Sequence, residues 1–106
     1  MPLFEDIVRA VGAATHIAPA EMHGRSRRQR VAFARQLAMY LMRQITRASY
    51  PRIGYFFGRE HSTVIYACVS MRVRLALDAE ARRALNKIAT IFSAQCRQLQ
   101  NRESAH

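Results

Sequence analysis

Gly58-Arg59-Glu60-His61-Ser62-Thr63-Val64 is the stretch on which the reading of this chain turns. A glycine accepts a positive φ at a tight turn without steric cost. Short polar residues suit the first turn of a helix, where N–H groups lack intrahelical partners. Val64 then opens a buried face that Ala67 continues. Further back, Ile53 is an apolar anchor, and Gly54 is small enough to let two helices cross closely. Ile53, Gly54, Gly58, Val64 and Ala67 occupy the places a helix-turn-helix requires. Its second helix starts near Glu60 and displays Glu60, His61, Ser62 and Thr63.

The rest of the chain reads as helix around this unit. Phe4, Ile7, Val8 and Val11 recur at helical spacing and predict a helix over 3–15, loosened at its end from Gly12 onward. Pro19 opens a short turn that ends at Gly24. Val31, Ala34, Leu37, Ala38, Leu41 and Ile45 form one stripe, predicting the longest helix from about Arg28 to Thr46, with Arg35, Arg43 and Arg47 off its core face. Ser49 caps a short helix from Pro51 to Phe56. A longer helix follows from Glu60 to about Arg74, and Asp78 caps a last one through Leu85, Ile88, Phe92 and Leu99. The expectation is all-α: one compact bundle of five to six helices over residues 1–99, then a polar tail over 100–106 that frays.

Charge indicates the partner. The chain has 106 residues and a formal net charge of +10. Sixteen of its seventeen basic residues are arginine, and nine of them fall between Met22 and Arg59, where no acid occurs. Like charges so concentrated repel one another unless a polyanion is bound. Arginine's planar fork suits phosphates and guanine edges. The run Arg25-Ser26-Arg27-Arg28-Gln29-Arg30 is too charged for core and reads as a basic arm. An arginine on such an arm can enter a narrow minor groove.

At the start of the second helix, Glu60 can accept from cytosine N4, and His61 can donate to purine N7 or pack on a thymine methyl. Ser62 and Thr63 can serve bases or phosphates, and Tyr66 can touch the sugar–phosphate backbone. Each has a plainer alternative. Ser62 and Thr63 can satisfy first-turn N–H groups, and Glu60 can simply favour the helix dipole. A groove-entering helix fits B-form DNA better than A-form RNA.

Other classes find little support. Cys68 and Cys96 match no metal or redox spacing, and His16, His23, His61 and His106 form no ligand set. No cofactor is expected. No nucleophile–base arrangement can be argued, so no enzyme is expected. Glu5 and Asp6 stand where a signal peptide would need positive charge and an apolar core. No apolar run is long enough to span a bilayer, and the chain is expected in the cytoplasm, associated with the nucleoid.

Residues 4–92 resemble the C-terminal DNA-binding domain of the bacterial replication initiator DnaA, a fold akin to the Trp repressor. The strongest likeness runs from Gly58 to Cys68, similar to the family signature Gly-Arg-Asp-His-Thr-Thr-Val with an apolar residue, His, Ala and often Cys after it. Arg35-Gln36-Leu37-Ala38-Met39 is similar to Arg-Gln-Met-Ala-Met, and Tyr50-Pro51-Arg52-Ile53-Gly54 to Leu-Pro-Glu-Ile-Gly.

The resemblance implies a TTATCCACA-like duplex as target. It implies that Glu60, His61, Ser62 and Thr63 read the major groove. Arg27, with Arg25 beside it, falls where the family enters the minor groove. Arg28, Arg35, Gln36, Arg43, Thr46, Pro51, Arg59 and Tyr66 are then the residues expected along the DNA backbone. There are departures. Glu60 replaces Asp, Ser62 replaces Thr, and the turn at Phe57-Gly58 is one residue shorter. Arg52 stands in place of a capping glutamate, and Phe33 where a basic residue is common.

No Gly-x-x-x-x-Gly-Lys-Ser/Thr loop precedes Lys87, the lone lysine, so no nucleotide is expected as a ligand. The expectation is a standalone binder of double-stranded DNA that regulates replication initiation or transcription without ATPase activity. The competing reading is an interaction module. In it, the last helix offers an apolar stripe to a protein partner or a second copy, with only non-specific nucleic-acid binding.

Overall fold

The computed structural model describes the backbone of residues 3–104 and the side chains of residues 3–94. Among the described residues there are six α-helices and no strand. They are α1 (Phe4–Thr15), α2 (Pro19–His23), α3 (Gln29–Leu41), α4 (Tyr50–Phe57), α5 (His61–Leu77) and α6 (Ala79–Ser104). A π-helical turn, Met42–Thr46, prolongs α3.

Helix α3 is the centre of the bundle. It packs on α5 and α1, α4 packs across α5, and α6 returns along α1. Ile7, Val11, Met22, Leu37, Met42, Ile53, Val64, Met71 and Ile88 are fully buried and come from all six helices and the π turn. Full burial of each such aliphatic side chain contributes about 1.5–3 kcal/mol, so every helix is tied into one core. Cys68 is part of it, and burial pushes its thiol above the usual cysteine range.

The ends of the helices are set locally. The Leu3 amide donates to Asp6 Oδ2 at 3.0 Å, which starts α1; the helix then runs unbroken through Gly12. Ser49 Oγ accepts from the Arg52 amide at 3.2 Å, the expected cap of α4. Ser49→Ala should therefore lower stability by about 1 kcal/mol, read as the denaturation midpoint in urea; an unchanged midpoint would show that this bond contributes nothing. Asp78 Oδ1 accepts from the Glu80 amide at 2.9 Å and begins α6. That bond, with Arg74, holds the Asp78 carboxyl below its usual range.

Four expectations need correction. The helix expected to be longest, α3, has 13 residues and is shorter than α5 with 17 and α6 with 26. The stripe from Val31 to Ile45 does not stay in phase. The wider π turn carries one more residue per turn, so Met42 is buried while Ile45 is 38% exposed. Thr46 Oγ1 donates to Met42 O at 2.6 Å and holds the widened turn. Helix α5 runs to Leu77, beyond Arg74. Helix α6 continues to Ser104, past the position where the tail was expected to begin; the side chain of Leu99 lies outside the described residues. Leu85, Ile88 and Phe92 pack on the core, as a helix covering α1 requires.

Candidate nucleic-acid interface

The crossing of α4 and α5 is controlled by two glycines. Gly58 ends α4 at φ 65° and ψ 36°, a left-handed conformation that side chains resist. Gly54 is buried against the turn. The Arg59 amide donates to Gly54 O at 2.8 Å, and a Cβ built on Gly54 would lie 2.5 Å from Arg59 O. No larger residue allows the turn to close so tightly. Ile53, Val64 and Ala67 are buried across the crossing, which assembles the expected helix-turn-helix.

This crossing turns the first residues of α5 outward. Glu60 is the N-cap residue in extended conformation, and its carbonyl receives the Thr63 amide at 3.1 Å. Glu60, His61, Ser62 and Thr63 are all exposed. Among the described residues no side chain of these four makes a hydrogen bond, so Ser62 and Thr63 do not cap the helix that carries them. Tyr66, one turn on, is 68% exposed.

The basic segment divides into free and committed arginines. Arg25, Arg27, Arg28, Arg30, Arg47 and Arg52 are exposed. The only two ion pairs among the described residues, Arg9–Asp6 and Arg74–Asp78, lie outside the segment from Met22 to Arg59. Its cations are thus uncompensated by carboxylates.

Arg35 overturns an expectation. It is not displayed off the core face; it is buried at 9% exposure. Its Nε donates to Met22 O at 2.6 Å, and its Nη2 to Gly24 O at 3.0 Å and Ser26 O at 3.4 Å. The reason is geometric. α2 and the arm fold back over α3, and their unpaired carbonyls need a donor that only a long, forked side chain supplies. Burial, and then the neighbouring Arg59, press its pKa below the ordinary arginine value.

Arg59 reaches the same place. Its Nη2 donates to Gly24 O at 2.9 Å and its Nη1 to Phe57 O at 3.2 Å. His23 stacks on Phe57, with ring centroids 5.1 Å apart, and lies 4.8 Å from Phe56. The root of the arm is therefore joined to the end of α4.

A second cluster forms between α3 and α4. Half-buried Arg43 donates from Nη1 to Ala48 O at 2.9 Å and lies 4.3 Å above the Tyr50 ring. Thr46 Oγ1 accepts from the Ala48 amide at 3.1 Å, so its hydroxyl is engaged internally. Pro51 is exposed in the first turn of α4, and Gln36 is half-buried on α3.

Sequence reasoning missed His23, whose stacking shows only in the folded chain, and a set of exposed apolar residues on α5. Ile65, Val69, Val73 and Leu77 are 38%, 52%, 53% and 80% exposed at four-residue spacing. They prolong the face that Ser62 begins. The spacing was visible, but Val64, Cys68 and Met71 beside it are equally apolar and are the buried set.

The description bacterial DnaA protein helix-turn-helix fits residues 4–70 as a family model, which spans α1 to the middle of α5. The chain belongs to this DnaA family. It carries the family's helix-turn-helix.

The chromosomal replication initiator protein DnaA of Rippkaea orientalis is 40% identical over 86 residues, which cover 80% of this chain and 19% of that protein. That of Thermus thermophilus is 40% identical over 84 residues, 78% of this chain and 19% of the relative. That of Tropheryma whipplei is 44% identical over 62 residues, 58% of this chain and 13% of the relative. The DnaA-type chain thus spans about a fifth of the length of the first two relatives. Among the described residues no helix is long and apolar enough to cross a membrane, and no cluster of three or more His, Cys, Asp or Glu side chains could hold a metal ion.

Proposed function

We propose that this domain binds DnaA-box-like duplex sites, with the first turn of α5 in the major groove and the arm arginines in the minor groove. One observation carries the reading. Four exposed polar side chains, unbonded within the protein, follow directly on a cationic segment that holds no acid. Glu60, His61, Ser62 and Thr63 supply base contacts. Arg27, with Arg25, enters the minor groove. Arg28, Arg43 and Tyr66 border the phosphates, with Pro51, Gln36 and Thr46 along the same edge. Occupying such sites would regulate replication initiation or transcription at the nucleoid, and nothing in these 106 residues calls for nucleotide hydrolysis.

In vitro selection from random duplexes at a stated salt concentration tests this. A DnaA-box-like motif should be enriched; a pool that stays random would end the sequence-specific reading and leave a general polyanion binder. His61→Ala should reduce the affinity difference between the enriched site and a scrambled duplex by about 1–3 kcal/mol, measured by fluorescence anisotropy. If the variant discriminates as the parent does, His61 reads no base.

A further inference from the structure

We infer that Arg59 is a positioning residue: through Gly24 it docks the basic arm onto the helix-turn-helix and so sets the spacing between the two groove-reading elements. The inference rests on the DNA-binding reading above for its functional consequence, but not for the docking itself.

The arm leaves the bundle at Gly24, between buried Met22 and the exposed arginines Arg25, Arg27 and Arg28. Nothing in its own composition would keep it in place. It lacks regular structure from Arg25 to Arg28, and its charges repel one another. Two guanidiniums hold it by main-chain oxygens: Arg35 Nη2 reaches Ser26 O at 3.4 Å, and Arg35 and Arg59 share one carbonyl. Gly24 O accepts from Arg35 Nη2 at 3.0 Å and from Arg59 Nη2 at 2.9 Å.

The two donors come from different places. Arg35 belongs to α3, thirteen residues from Met22, and ties the arm to the core. Arg59 is thirty-five residues from Gly24 and immediately precedes Glu60, the cap of the reading helix. Its Nη1 also grips Phe57 O, so the guanidinium bridges the end of α4 and the root of the arm. The His23–Phe57 stack closes the same junction from the other side.

A carbonyl oxygen has two lone pairs, so Gly24 O can accept both donors at once. The arrangement places two like charges side by side, which costs Coulomb energy. A lone phosphate ligand would have no reason to accept that cost. A brace between two elements does, because each guanidinium fixes a different one. Minor-groove and major-groove contacts can be satisfied together only if their separation matches the duplex, and a preset separation removes the ordering cost from binding.

The test uses the full chain and three variants: Arg59→Ala, His61→Ala and an arm variant with Arg25, Arg27 and Arg28 all changed to Ala. Selection from random duplexes at one salt concentration defines which base positions each change blurs. Arg59→Ala should cut the preference at arm-read positions about fivefold or more, within the range of one lost base contact, and spare the positions that His61 reads. Equal loss at both sets would make Arg59 a phosphate ligand; an unaltered profile with a lower Tm would make it merely structural. Either result overturns the inference.

Backbone 15N order parameters of Arg25, Arg27 and Arg28 in the free protein provide a second readout. Arg59→Ala should bring them to about 0.6 or below while the first turn of α5 stays near about 0.85. Unchanged values would overturn the docking. If the parent chain selects no site yet the order parameters fall, the docking stands and the sequence-specific function is what fails.

Discussion

Gly54→Ala should lower the Tm by about 10 °C or more and remove DNA binding at concentrations where the parent is saturated, because overpacking costs about 2 kcal/mol and each kcal/mol shifts the Tm by about 4–8 °C in a domain of this size. The added methyl meets a backbone atom, Arg59 O, at 2.5 Å. No side chain can rotate away to relieve it. Either α4 separates from the turn, breaking the 2.8 Å bond from the Arg59 amide to Gly54 O, or α5 moves and takes His61 and Ser62 with it. Gly58→Ala is the informative comparison. A Cβ there meets nothing within 4 Å, so only the positive φ opposes it. That change should cost about 1 kcal/mol and leave site preference intact. A Gly54→Ala chain that melts with the parent would show that the helices do not cross as closely as described.

Arg35→Met should destabilise the chain by about 3 kcal/mol, since charged hydrogen bonds contribute about 1.5–3 kcal/mol each and buried carbonyls are left without donors. Methionine keeps much of the length and all of the apolar stem, which isolates the loss of the guanidinium. Met22 O loses the donor at 2.6 Å, while Gly24 O keeps Arg59. Chemical denaturation would show the loss as a lower midpoint with an unchanged slope. A phosphate ligand would behave differently: stability would hold, and affinity for every duplex would fall with a shallower salt dependence. An unchanged midpoint would return Arg35 to the DNA-facing set.

Why Arg35 was misplaced shows where reading the residues stops. Val31, Ala34, Leu37 and Ala38 mark a core face by period alone, and they are buried. The same period puts Arg35 beside that face, where an arginine ordinarily points to solvent. What buries it is the return of α2 and the arm over α3, a long-range event that no local pattern encodes. Ile45 failed for another reason. A π turn changes the number of residues per turn, and no residue period announces it.

The helix-turn-helix, by contrast, was legible because its constraints are local. Gly54 and Gly58 answer steric demands within six residues of Arg59, and the Ser49 and Asp78 caps act within three residues of their own positions. The exposed start of α5 follows from them. The outer face of α5 was not legible, because Val69 and Val73 look the same as the buried Cys68 and Met71 to any rule based on hydrophobicity.

The anchored guanidiniums of the basic half, Arg35, Arg43 and Arg59, rest on main-chain oxygens and not on carboxylates. An arriving polyanion therefore has no acidic side chain to evict before it can settle. Association should proceed without a slow uncoupling step, at a rate governed by diffusion and long-range attraction, and should slow steeply as ionic strength rises.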